Sequence, residues 1–229
     1  MQRLISSLIC VGIFASVIIG SPLAERAAWP TLTSSCGVKN ASRTLTCLQR
    51  YFGFFGIPAK HSLPRFETYE ISVWDEFNAY GVRGLHQILD QYNSLVQCMD
   101  GNDMITCLSP SNFEYMFDMD EINARKYSAD FAVSAFVSQN EKNATAYFPC
   151  LWDERTKFSS DLSTCKINID VDINNGVNMC TAYTNFLKCS EKVYAPCGND
   201  AKLFACTVEE TAIQSYVNNY CMQNLLCNQ

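Results

Sequence analysis

Histidine is almost missing from this chain, with His61 and His86 the two in 229 residues. Acid–base and nucleophilic catalysis near neutral pH leans on imidazole, so few positions are open to it. His61 falls in the proline-bounded stretch from Pro58 to Pro64, and His86 lies beside the apolar stripe of a helix. There is no Gly-x-Ser-x-Gly elbow, no His-Glu-x-x-His pair and no phosphate-cradling glycine loop. A protein without catalytic activity and without a cofactor is expected, the alternative being a hydrolase that uses His61 or His86. Closely spaced cysteines are missing too. No two lie within a Cys-x2-4-Cys spacing, and the tightest pair is Cys221 and Cys227. That spacing speaks against common zinc sites and thioredoxin-type redox chemistry.

Basic clusters are absent. Lys and Arg total 17 against 23 Asp and Glu, a net charge of −6. Nucleic acid and anionic membrane surfaces are therefore poor partners. Calcium is not expected either. With Asp170 as the first position of a calcium loop, Asn175 stands where glycine is needed and Thr181 where a bidentate Glu belongs. Asp118-Met119-Asp120-Glu121 offers carboxylates without ligand spacing and reads as helix surface. After the first 20 residues, no apolar run reaches the length of about 20 that spans a bilayer.

What is present begins at the N-terminus. Met1-Gln2-Arg3, an apolar run from Leu4 to Ile19, and small residues at Gly20, Ser21 and Ala24 make a secretory signal peptide over residues 1–20. A short segment, 21–35, leads into one cysteine-rich domain, 36–229, divisible into lobes at 36–149 and 150–229. Of 13 cysteines, Cys10 leaves with the leader. Cys36, Cys47, Cys98, Cys107, Cys150, Cys165, Cys180, Cys189, Cys197, Cys206, Cys221 and Cys227 remain, an even number that reads as six disulfides. Asn40-Ala41-Ser42 and Asn143-Ala144-Thr145 are acceptors for N-linked sugar. All three signals place the mature protein outside the cell.

Periodicity is mainly helical. Leu45, Leu48, Tyr51 and Phe52 share one stripe, closed by Gly53, Gly56 and Pro58. A longer stripe from Trp74 to Val96 is weakened at Gly81 and Gly84, which predicts two helices with a bend. Ser111 and Glu114 form a capping box for a helix through Phe113, Met116 and Phe117. Tyr127, Phe131 and Ala135 carry a further stripe, followed by the polar, exposed stretch Asn140 to Asn143. From Cys165 to Gly176, Ile167, Ile169, Val171 and Ile173 alternate with polar residues, the period of a half-buried strand. Helices over 177–193 and 200–226 close the chain, separated by Pro196-Cys197-Gly198. The expected class is mainly α, a disulfide-laced helical bundle with at most one or two short strands. Cys-x8-Cys recurs at 98/107, 180/189 and 197/206. Nine helical steps turn 900°, so such a pair faces opposite sides of a helix and can tie it to two neighbours.

The C-terminal run, with Cys180 and Cys189 on one helix, then Cys197-Gly198-x-x-Ala201 and Cys206, resembles secreted nematode modules with twelve cysteines. These are labelled a domain of unknown function and are sometimes found near chondroitin-proteoglycan-type modules. The resemblance implies an extracellular helical module and brings no activity with it. The function expected is a secreted binding or structural module that acts through its surface on an extracellular protein. A carrier of a lipid or small apolar ligand in a helical cavity is the alternative, and a secreted hydrolase the second.

Overall fold

The computed structural model describes residues 36, 38–59, 62–99, 107–217, 220, 221 and 227. The leader (1–20), Cys10, the 21–35 segment and His61 lie outside the described residues. Nine α-helices account for almost all of the rest, and no strand occurs among the described residues.

α1 (Val38–Phe54) buries Leu48, Tyr51 and Phe52. α2 (Phe66–Tyr80) and α3 (Val82–Cys98) are the two helices expected of the long stripe. Gly81 parts them at φ 56°, a backbone region costly to residues with a Cβ. Gly84 then lets the two backbones meet, since a Cβ there would stand 2.5 Å from the Glu76 carbonyl oxygen. α4 (Pro110–Phe117) starts two residues earlier than the capping box predicts. Ser109 is its N-cap and Pro110 its first residue, where a missing N–H costs nothing. Ser111 instead turns its hydroxyl to Ser109, 3.3 Å away.

α5 (Glu121–Gln139) is the central helix. Asp120 caps it, accepting the Asn123 N–H at 2.9 Å. It has no single apolar face because neighbours surround it: Ala124, Tyr127, Ala129, Phe131, Val133 and Val137 are all buried. α9 (Asn199–Tyr216) makes the most extensive contact with it, and α4, α3, α2 and α6 also touch it. α6 (Glu141–Lys157) was not foreshadowed by the sequence and runs through an internal proline, Pro149.

α7 (Ser159–Asn174) corrects the strand expected at 165–176. At 100° per residue, alternate residues are 200° apart, so a period of two becomes two stripes on nearly opposite faces of a helix. Ile169 is buried and Ile173 packs beside it on the core side. Ile167 and Val171 face outward, 55% and 46% exposed. α8 (Met179–Tyr194) is capped by Asn178, which accepts the Cys180 N–H at 2.9 Å, and a 3-10 turn (Ala195–Cys197) leads into α9. The helix expected to reach 226 ends at Tyr216, and residues 218, 219 and 222–226 lie outside the described residues.

The main core is aromatic. Phe113 stacks on Phe131 with ring centres 5.9 Å apart, and Phe52 meets Tyr127 edge-on at 5.6 Å. A second apolar cluster, with Ile169, Tyr183, Phe186 and Ile213, joins α7, α8 and α9.

Six disulfides join all twelve cysteines from Cys36 onward, in two sets. Cys36–Cys107 and Cys47–Cys98 tie α1 to α3 and to the chain ahead of α4. Cys150–Cys197, Cys165–Cys189, Cys180–Cys221 and Cys206–Cys227 lace the chain from α6 onward. In each Cys-x8-Cys pair the two cysteines go to different partners, but only Cys180 and Cys189 share a helix. α2, α4 and α5 carry no cysteine.

Candidate functional site

Cys165–Cys189 holds α7 against α8, and a groove of about 350 Å³ opens beside that bridge. The size falls within the range of small-molecule sites, on the order of 300–1,000 Å³. Phe158, the disulfide itself, Val193 and Pro196 give it apolar walls, and Thr164 faces it from α7. Its rim is charged. Asp161 and Lys192 line it, and Lys157 sets its ammonium over the Phe158 ring, 4.7 Å from the centroid. Lys157 also pairs with Glu154 Oε1 at 3.8 Å, so the lining itself carries one carboxylate, Asp161, and one ammonium, Lys192.

Polar chemistry is concentrated deeper, where α2, α6, α7, α8 and α9 converge. Arg155 is 2% exposed, donates to the Tyr194 hydroxyl at 3.3 Å and lies 5.5 Å from the Trp74 ring centre. The buried Glu209 accepts from the Ser190 hydroxyl. Burial pushes its carboxyl up to about 7, against the lowering pull of Ser190, Arg155 and Lys166. Burial likewise pushes the half-buried Glu70 up to about 8, although Lys166, Arg155 and Lys126 oppose it. On the other side of α2, Tyr69 donates to Asp130 at 2.9 Å and exchanges a 2.8 Å hydrogen bond with Tyr51. Asp130 is pushed up to about 7 by burial, and burial raises Tyr51 and Tyr69 as well. At Glu67 the balance reverses. Burial alone would raise its carboxyl, but the hydrogen bond and charge of Lys126 bring it below its ordinary value. These groups join helices, and none of them lines the groove.

His86 has a partner on each nitrogen. Nδ1 lies 3.0 Å from Glu141 Oε1 and Nε2 lies 3.5 Å from Thr145 Oγ1. A carboxylate, an imidazole and a hydroxyl in line are the elements of an activated nucleophile. Here they form a surface link between α3 and α6, with His86 and Glu141 side chains 41% and 46% exposed, outside the groove. The structure therefore joins His86 to residues the sequence did not associate with it. Of the sugar acceptors, Asn143 is exposed in the first turn of α6, and the Asn40 side chain lies outside the described residues. Asp170 and Asp172, weighed for calcium, sit on α7, and no cluster of metal-ligating side chains occurs among the described residues.

Sequence reasoning missed the groove, because its walls come together only once 165–176 is a helix packed against α8. It also missed the buried charges, although a signal was available. Asp130 follows Tyr127 by three residues, and Glu209 has Ala205, Cys206, Ala212 and Ile213 three or four residues away. A charge inside an apolar stripe marks a buried polar group. Compared with known proteins, the chain matches no family model, no curated protein and no solved structure.

Proposed function

We propose that this chain is a secreted binding module, and that its site is the groove between α7 and α8. Six disulfides, and the lack of any helix among the described residues long and apolar enough to cross a membrane, fit an extracellular protein. The observation that carries the reading is a 350 Å³ groove with apolar walls and one charge of each sign, Asp161 and Lys192, in its lining. That chemistry suits a small ligand with an apolar body and a polar end. The body replaces water on Phe158, Val193 and Pro196, and the end meets Lys192. The size of the groove and its apolar walls favour this ligand-binding form over a purely structural role.

Native mass spectrometry of protein secreted from insect cells tests the proposal. A copurifying small mass is expected, absent from Thr164→Trp, whose exposed position lets an indole fill the groove without disturbing the core. If the wild type carries no ligand and fails to bind an anionic apolar dye such as anilinonaphthalene sulfonate, the groove is not the site.

A hydrolytic reading has one observation in its favour, the line from Glu141 through His86 to Thr145. A fluorophosphonate probe that labels the wild type and not His86→Ala would establish it in place of the binding reading.

A further inference from the structure

A second, smaller cavity of about 180 Å³ lies between α3, α5 and α9, apart from the groove, with one side open to solvent. α5 turns only small side chains to it at Ser128, Ala132 and Ala135, positions four and three residues apart on one helical face. Tyr92 and Phe131 give it aromatic walls, and Leu108 adds to the apolar lining. Leu108 also fixes where the cavity sits relative to the chain's beginning. The residue before it, Cys107, is bridged to Cys36, with Cα atoms 5.0 Å apart. The described residues begin at Cys36, so the segment 21–35 is joined to the bundle within one residue of the cavity wall.

We propose that this cavity is the docking site of the chain's own N-terminal segment, with the indole of Trp29 seated against Tyr92, Phe131 and Ala132. Trp29 is the one aromatic residue in 21–35, and it lies beyond the leader expected over 1–20. It stands seven residues before Cys36, a reach of up to about 24 Å. The wall at Leu108 begins one Cα step, about 3.8 Å, past the bridge. The cavity is on the scale of the roughly 150 Å³ that takes up benzene, and its open side lets an indole enter with its N–H still in water. Leu23 and Leu32 offer no ring to the aromatic walls. Pro30 biases the backbone of Trp29 towards an extended form, and its own fixed φ leaves less freedom to lose on docking. A tether of six residues gives the ring an effective concentration on the order of millimolar, so it outcompetes a free ring of equal affinity at lower concentration. The seat does not depend on the groove.

The test labels the protein, secreted from insect cells, with fluorotryptophan, so that Trp29, Trp74 and Trp152 each give one fluorine resonance. Loss of a line in Trp29→Ala assigns the first. Trp74 and Trp152 pack edge to face with ring centres 4.3 Å apart, so their lines report an intact fold. Paramagnetic relaxation by a soluble gadolinium chelate then measures how exposed Trp29 is. In the wild type, relaxation several-fold slower than that of free fluorotryptophan is expected. Ala132→Lys puts an ammonium in the seat and should return Trp29 to near the free value. Ala132 is half-buried, which leaves room for the lysine to reach solvent. Should the Trp74 and Trp152 lines show that this variant does not fold, Ala135→Lys, also half-buried and on the same helical face, supplies the answer. A wild-type Trp29 as exposed as the free amino acid overturns the proposal and leaves the cavity to another occupant, such as 100–106 or 222–226. Shielding that persists in a folded lysine variant overturns it too, because the ring then rests elsewhere.

Discussion

Replacing Asp130 with asparagine should stabilise the protein at pH 8 and destabilise it by about 1–3 kcal/mol at pH 4. The carboxyl is 4% exposed and accepts one hydrogen bond, from Tyr69 at 2.9 Å. Burial lifts it from an ordinary 3.8 to about 7. The folded protein therefore holds this proton more tightly than the unfolded chain does. Stability is complete below about pH 4, where both states are protonated, and falls as pH rises towards 7, after which it is level. At about 1.4 kcal/mol for each pH unit, the loss comes to about 4 kcal/mol. An amide never ionises, so Asp130→Asn escapes that loss. It still offers Tyr69 an acceptor, but its NH₂ group lacks a ready partner, a cost of about 1–3 kcal/mol. A net gain of about 1–3 kcal/mol at pH 8 is expected. Urea unfolding with disulfides intact, at pH 4, 6 and 8, measures it. Glu70 and Glu209 titrate over an overlapping range, so the informative quantity is the variant minus wild-type difference. A variant less stable than wild type at pH 8, or a difference that does not change with pH, would refute the reasoning.

Gly84→Ala should cost about 1–3 kcal/mol in the same assay, because its methyl meets backbone rather than a yielding side chain. Arg155→Met should destabilise by about 3–5 kcal/mol, since it strips a buried cation from beside Glu209 and Glu70. Alkylation of the denatured, unreduced mature protein should add no label, and reduction should abolish cooperative thermal unfolding, because each bridge typically contributes about 2–4 kcal/mol. Material secreted from insect cells should lose mass at Asn143 on peptide-N-glycosidase treatment, as its exposed place at the start of α6 permits. An unchanged peptide mass would show that the site is skipped.

The helical class and the break between α2 and α3 were legible because each rests on local chemistry, an apolar stripe at helical spacing and a glycine at positive φ. α7 was misread because alternation looks the same whether it lines one face of a strand or two faces of a helix. The choice depends on whether both faces have an apolar reason to exist, and Ile167 and Val171 have none within the described chain. α6 was hidden by Pro149 and by the charged residues after it, Asp153, Glu154, Arg155 and Lys157. Pro149 argues against a helix interior there, while buried Phe148 and Leu151, with the bridge at Cys150, hold one. Within the site, Cys165 and Cys189 were legible as bridged, but not as bridged to one another. Twelve cysteines allow thousands of pairings, and the groove lies beside the one that joins α7 to α8.

The division of the bridges into two sets has a consequence for how the molecule responds to cutting. No bridge joins a residue up to Cys107 to one from Cys150 onward. A protease that clips one peptide bond between those positions, for instance at the exposed junction near Glu141 and Lys142, severs the last covalent route across the protein. The fragments would stay docked in native buffer through the broad contact of α5 with α9. In detergent without reductant they would part as two separately laced pieces. For all its cross-links, the molecule is covalently one body only through the stretch of backbone that none of them guards.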